Sequence, residues 1–158
     1  MRRIVVGVDG SRESMAALEW AVEEARFRDA VVETVYVFQN TPSYRLYGSQ
    51  QSGMAKRGEQ PHGPSPVAEA TDTTSAQDDV ARMVEELDQP HDVLLESVLV
   101  EDRRPEHVLV ERSRDADMLV VGSHGRGRVP EMLLGSVSHH CATHALCPTV
   151  IIRRPPHH

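Results

Sequence analysis

The chain is short of positive charge. Its 158 residues carry 17 Lys and Arg against 24 Asp and Glu, a formal net charge of -7. A general nucleic-acid binder is usually basic, so nucleic acid is not an expected partner. Lysine is almost missing: Lys56 stands alone and the other basic residues are Arg. No apolar run reaches the roughly 18 residues that argue for a membrane-crossing helix, so no membrane partner is expected either. The start, Met1-Arg2-Arg3-Ile4-Val5-Val6-Gly7, has no long apolar region and no cleavage-like site. It reads as a first strand rather than a signal peptide. Only Cys141 and Cys147 are present. They make no CxxC motif and fit a reducing, cytoplasmic setting. The Gly-x4-Gly-Lys-Ser/Thr element is also missing, which removes the P-loop route to phosphate.

What the chain has is alternation. Residues 3–8 are almost wholly apolar and β-branched, as a central parallel strand covered on both faces should be. Asp9-Gly10-Ser11 ends the run; Ser11 is a good N-cap, and Glu13 suits the positive end of a helix over 11–28. Met15, Leu18, Val22 and Ala25 give that helix one apolar stripe, with Trp20 off it as a second packing contact. Residues 31–38 make a second strand, and strand, helix, strand is a βαβ unit. Residues 40–70 break the rhythm with Gly, Pro, Ser and Gln. So long a loop inside a domain is a lid, a binding loop or an insertion without a role.

Helical spacing resumes over 71–87 through Ala76, Val80, Met83, Val84 and Leu87. A third strand covers 93–100, and Glu96 and Ser97 within it place it at an edge. Pro105 opens a short helix through Val108, Leu109 and Arg112. A fourth strand over 115–122, a last helix over 136–145 and a fifth strand over 148–152 complete the pattern. Val137, Cys141 and Leu146 are the inward positions of that last helical stretch. Five strands alternating with four helices predict an α/β fold with a single doubly wound parallel sheet, a Rossmann-like nucleotide-binding architecture. The domain is placed at 1–154, and 155–158 is a tail of the kind a purification tag leaves.

In such a sheet, ligands bind beyond the carboxyl ends of the strands, where strand order reverses. Asp9 and Gly122 follow strands one and four. If those strands are neighbours at the reversal, both residues line one crevice. The fourth strand runs into Gly122-Ser123-His124-Gly125-Arg126-Gly127-Arg128, and Gly135-Ser136-Val137-Ser138 opens the last helix. The pattern Gly122-x2-Gly125-x9-Gly135-Ser136 supplies a strand, a glycine turn and a helix N-terminus, the parts that hold a phosphate through backbone N–H groups. Arg126 and Arg128 either fork onto phosphate oxygens or stand solvated. His124 either donates to a phosphate or faces solvent. Asp9 either caps the first helix or faces the ligand; its place at a strand end favours the second. Glu131 sets an anion near the proposed site, to be offset by an arginine or a divalent metal. His140 and His144 share a helix face near Cys141, but no third ligand has convincing spacing, so the protein alone is expected to supply no metal site.

These residues resemble the universal stress protein family. Ile4-Val-Val-Gly-Val-Asp-Gly-Ser11, Leu18-Glu-Trp-Ala21, Val120-Val-Gly-Ser-His-Gly-Arg-Gly127, Leu134-Gly-Ser-Val-Ser138 and His144-Ala-Leu-Cys-Pro-Thr-Val150 carry the likeness, in order, across nearly the whole chain. The glycine pattern is that of the ATP-binding branch. The resemblance implies strand order 3-2-1-4-5 and dimerisation through the last strand, 149–153. It implies ATP as ligand, with Mg2+ or Mn2+ on its phosphates. Asp9 would meet the ribose or that metal, with Gly7 and Val8 as the wall beside it and the Val37 backbone against adenine. Gly122, Ser123, His124, Gly125, Arg126, Gly127 and Arg128 would wrap ribose and phosphates. Gly135, Ser136, Val137 and Ser138 would donate N–H and hydroxyl groups. Three functions follow: a nucleotide-binding stress or signalling protein with slow hydrolysis or none, an ATP hydrolase using Asp9, Glu131 or His124, or a dimeric interaction module. Cyclic AMP is a variant ligand of the first.

Overall fold

The computed structural model describes residues 1–39, 72–87, 92–126 and 133–154. The long loop expected at 40–70 and the tail at 155–158 lie outside them. The elements are β1 (Arg2–Val8), α1 (Arg12–Arg28), β2 (Ala30–Phe38), α2 (Asp72–Glu86), β3 (Leu95–Glu101), α3 (Pro105–Arg112), a 3-10 turn (Ser113–Asp115), β4 (Met118–Gly122), α4 (Ser136–His144) and β5 (Thr149–Ile152). All strand pairs are parallel, in the order β3-β2-β1-β4-β5. The order and the edge position of β3 agree with expectation.

Alternation along β1 explains the two layers. Ile4, Val6 and Val8 face a core with Leu18 and Ala21 of α1 and Val80 and Met83 of α2. Val5 faces the other way, onto a core with Leu109 of α3 and Cys141 of α4. Burying each such large side chain contributes about 1.5–3 kcal/mol, so a strand apolar on both faces cannot sit at a wet surface. Trp20 packs partly buried against the first core, as expected.

Capping sets the first turn of α1. The Ser11 hydroxyl accepts the Ser14 N–H at 3.2 Å, and Asp29, at φ 52, ends the helix in the left-handed region. Across the sheet, Glu33 of β2 is 2% exposed and lies between Arg3 of β1 and Arg112 of α3, the latter at 2.6 Å. The pair of arginines compensates a charge that would otherwise be costly to bury.

The starts of two strands and the burial of one residue differ from the sequence reading for reasons visible in the side chains and backbone. The fourth strand begins at Met118, not at 115, because 113–115 is spent ending α3. The buried Ser113 hydroxyl donates to the Val110 carbonyl at 2.6 Å and accepts the Leu146 N–H at 2.9 Å. The fifth strand begins after Pro148, whose carbonyl accepts from Leu119 at 2.9 Å. Leu146, expected inward, is 60% exposed. Ala145 is already extended at φ -59, ψ 146, so the helical phase that would turn Leu146 inward is lost.

Candidate functional site

β1 and β4 are neighbours, and the sheet order reverses between them. Beyond their carboxyl ends lies a cavity of about 470 Å³, within the range of small-molecule sites. Its two ends differ in chemistry.

One end is built from α4. Gly135 is its N-cap, and among the described residues no side chain caps the helix. The Gly135 N–H donates to the Ser123 carbonyl at 2.7 Å, and the Ser138 hydroxyl donates to the same carbonyl at 2.8 Å. Those bonds fasten the helix start to the loop after β4. They leave the first-turn N–H groups of Ser136, Val137 and Ser138 without intrahelical acceptors, on residues that line the cavity. The helix dipole adds roughly half a positive charge there. An anion is the matching ligand.

Asp9 joins the two sides. One carboxylate oxygen accepts the Ser11 N–H at 2.9 Å and the other accepts the Arg126 N–H at 3.1 Å. The loop is therefore pinned to the β1–α1 turn. Two glycines make the approach possible. A Cβ on Gly125 would lie 2.5 Å from Asp9 Oδ2, and a Cβ on Gly122 would lie 2.8 Å from the backbone carbon of Glu13. Gly122 thus lets α1 pack against the end of β4, a role in packing that the phosphate reading did not assign to it.

The other end is apolar. Val35 and Val37 of β2, Val121 of β4, and Pro105 and Leu109 of α3 form its wall. A flat apolar ring would lose little by leaving water there.

Of the residues singled out in the sequence, Gly7, Val8, Asp9, Val37, Gly122, His124, Gly125, Arg126, Gly135, Ser136, Val137 and Ser138 line the cavity together. Ser123 stands behind the wall, 4% exposed, its N–H given to the Ile152 carbonyl at 2.8 Å. The Ser138 hydroxyl is engaged with carbonyls, so Ser136 carries the exposed hydroxyl. Gly127, Arg128 and Glu131 lie outside the described residues. Ser14, Val35, Pro105, Leu109 and Val121 were missed. The proline that opens α3 was the available signal, since a helix following β3 must cover one face of the sheet.

The histidine face of α4 has a third member. His140 stacks on His144 at 4.1 Å between ring centroids and on His107 of α3 at 5.1 Å. Partial desolvation, then the neighbouring His144 and His107, hold the His140 pKa below the ordinary value. Among the described residues no group of three His, Cys, Asp or Glu is placed to hold a metal. Burial pushes the Cys141 thiol up to about 12, which leaves it an inert core residue at neutral pH.

Residues 1–153 match the model of the universal stress protein family. Universal stress protein Rv3134c of Mycobacterium tuberculosis is 36% identical over 159 aligned residues, covering 98% of this chain and 50% of that protein. The chain spans about half the length of such curated relatives. A universal stress protein from Archaeoglobus fulgidus, solved in complex with dAMP, shares the fold at TM-score 0.63 and 20% identity, covering 96% of this chain and 98% of its own. Another, solved in complex with cAMP, does so at TM-score 0.56 and 23% identity, covering 96% and 95%. No helix among the described residues is long and apolar enough to cross a membrane.

Proposed function

The chain belongs to the universal stress protein family, and we propose that it binds an adenine nucleotide in this cavity and acts in stress response or signalling. The observation that carries the reading is the pairing of three first-turn amides on α4, without intrahelical acceptors, with an apolar wall at the far end. A phosphate on those amides puts the base against Val35, Val37 and Leu109, with the Val37 backbone available to the adenine edge. Asp9 then faces the ribose. The family likeness points to ATP as the ligand, with cyclic AMP as the variant. The dAMP and cAMP complexes of structurally similar proteins support an adenine nucleotide as ligand.

A divalent ion fits only as part of the nucleotide. Mg2+ is commonly held by one or two carboxylates together with substrate phosphates, and Asp9 is the one carboxylate lining the cavity among the described residues. Such an ion would neutralise phosphate charge. Turnover has less support than binding. Both Asp9 oxygens already accept backbone N–H groups, which makes it a fixed anchor rather than an uncommitted base. A homodimer through β5, whose outer edge has no partner strand among the described residues, completes the reading.

The test is to denature freshly purified protein and identify released nucleotide by mass spectrometry. An adenine nucleotide is expected, with retention reduced in Gly125→Val. Empty protein that also gives no heat of binding with AMP, ATP or cyclic AMP contradicts the proposal.

A further inference from the structure

A second concavity, of about 310 Å³, lies between α1 and α2 on the far side of the β1–α1 turn. Four arginines line it, each from a different part of the chain: Arg12 at the start of α1, Arg82 in α2, Arg126 in the glycine loop and Arg154 after β5. Three carboxylates, Glu19, Asp79 and Glu86, share the walls. The balance is cationic in a chain whose formal net charge is -7. Asp79 is heavily committed. Its oxygens take Arg82 at 3.2 Å, Arg126 at 3.5 Å and the Tyr36 hydroxyl at 3.0 Å. Arg12 and Arg154 make no ion pair among the described residues. A guanidinium has five N–H donors, so even the paired arginines retain donors for a ligand.

Arg126 connects this cleft to the first cavity, because it lines both. Its backbone N–H is held by Asp9 at the anion end of the nucleotide cavity. Its guanidinium lies against Gly10 in the turn between β1 and α1 and reaches Asp79 beyond it. Among the described residues Arg126 is the one wall residue that the two concavities share, and beyond it stand Arg12, Arg82 and Arg154. Guanidinium groups match phosphate oxygens two at a time, and successive phosphates repeat that pattern.

We propose that this cleft is a second anion subsite, which receives the distal end of an oligophosphate chain whose nucleoside sits in the first cavity. The proposal rests on the nucleotide reading of that cavity and narrows its ligand class. Nucleotides with several linked phosphates, free at the end or carrying a second nucleoside, gain contacts that a monophosphate cannot reach. Each arginine is exposed, so each contact is weak and the preference comes from their number.

The experiment is calorimetric titration of the whole chain with AMP, ATP, a diadenosine tetraphosphate and inorganic tripolyphosphate. The wild type is compared with the double variant Arg12→Ala/Arg154→Ala, with a thermal melt to confirm folding. ATP, the dinucleotide and tripolyphosphate should each bind about tenfold more weakly to the variant, while AMP stays within about twofold. Wild-type affinity for ATP should also fall more steeply with salt than affinity for AMP. Equal affinity of both proteins for every oligophosphate overturns the proposal, as does an equal loss for AMP. If no adenosine ligand binds at all, the nucleotide reading fails instead. Tripolyphosphate then decides the subsite alone: binding that weakens in the variant supports it, and no binding overturns it.

Discussion

Replacing Gly125 and Gly122 by alanine, one at a time, separates binding from folding at the centre of the site. At Gly125 the new Cβ meets the end of a side chain, Asp9 Oδ2, at 2.5 Å. The carboxylate can rotate away, but it then releases the Arg126 N–H that it holds at 3.1 Å. That bond is exposed, so its loss costs on the order of 1 kcal/mol of stability, a fall in Tm of roughly 2–4 °C for a chain of this size. The larger effect is on the ligand. A loop residue freed from its anchor must be ordered again on binding, at about 1–2 kcal/mol of backbone entropy, or roughly 5- to 30-fold in Kd. At Gly122 the Cβ meets backbone instead, the Glu13 carbon at 2.8 Å and its oxygen at 3.0 Å. Backbone in the first turn of α1 cannot rotate away, so overpacking should cost about 1–3 kcal/mol of stability. Calorimetry with AMP and a differential scanning melt read both quantities. An unchanged Kd in Gly125→Ala, or a wild-type Tm in Gly122→Ala, would rule out these roles for the two glycines.

Other outcomes follow from the same structure. Glu33→Gln leaves Arg3 and Arg112 without their shared carboxylate; both arginines are partly exposed and can turn to water, so urea melts should show a loss of about 1–3 kcal/mol, at or below the range for a fully buried pair. The Cys141 thiol is raised from 9.0 to about 12 in the folded chain, so the folded state holds its proton longer than the unfolded state. Its stabilising contribution is complete below about pH 9 and is lost as pH rises toward 12; a stability profile of Cys141→Ala should be flatter over that window. Light scattering on a sizing column should give twice the chain mass, through the β5 edge, and a monomer would remove the dimer from the account.

Most of the frame was legible because strands buried on both faces write themselves as apolar runs. Val5 and Val6 point to opposite cores, and both must be apolar. The α4 end of the cavity was legible because glycine spacing and a helix start lie close together in sequence. The apolar end was not, since Val35, Pro105 and Leu109 come from separate elements that only the folded sheet brings together. Boundaries failed where side chains override periodicity. Ser113 ends α3 by bonding backbone on both sides, and Leu146 follows a helix that has already unwound. Gly122 lines the cavity and also abuts the backbone of Glu13, a contact that the one-dimensional pattern does not show.

On the proposed function, main-chain amides at the start of α4, with the loop held by Asp9, receive a nucleotide phosphate. An amide-resolved NMR titration with AMP tests it most directly. Large, saturable shifts are expected at the N–H groups of Ser136, Val137, Ser138, Gly125 and Arg126, with smaller ones at Val37. Shifts confined to other surfaces, or no shifts at millimolar AMP, would contradict it.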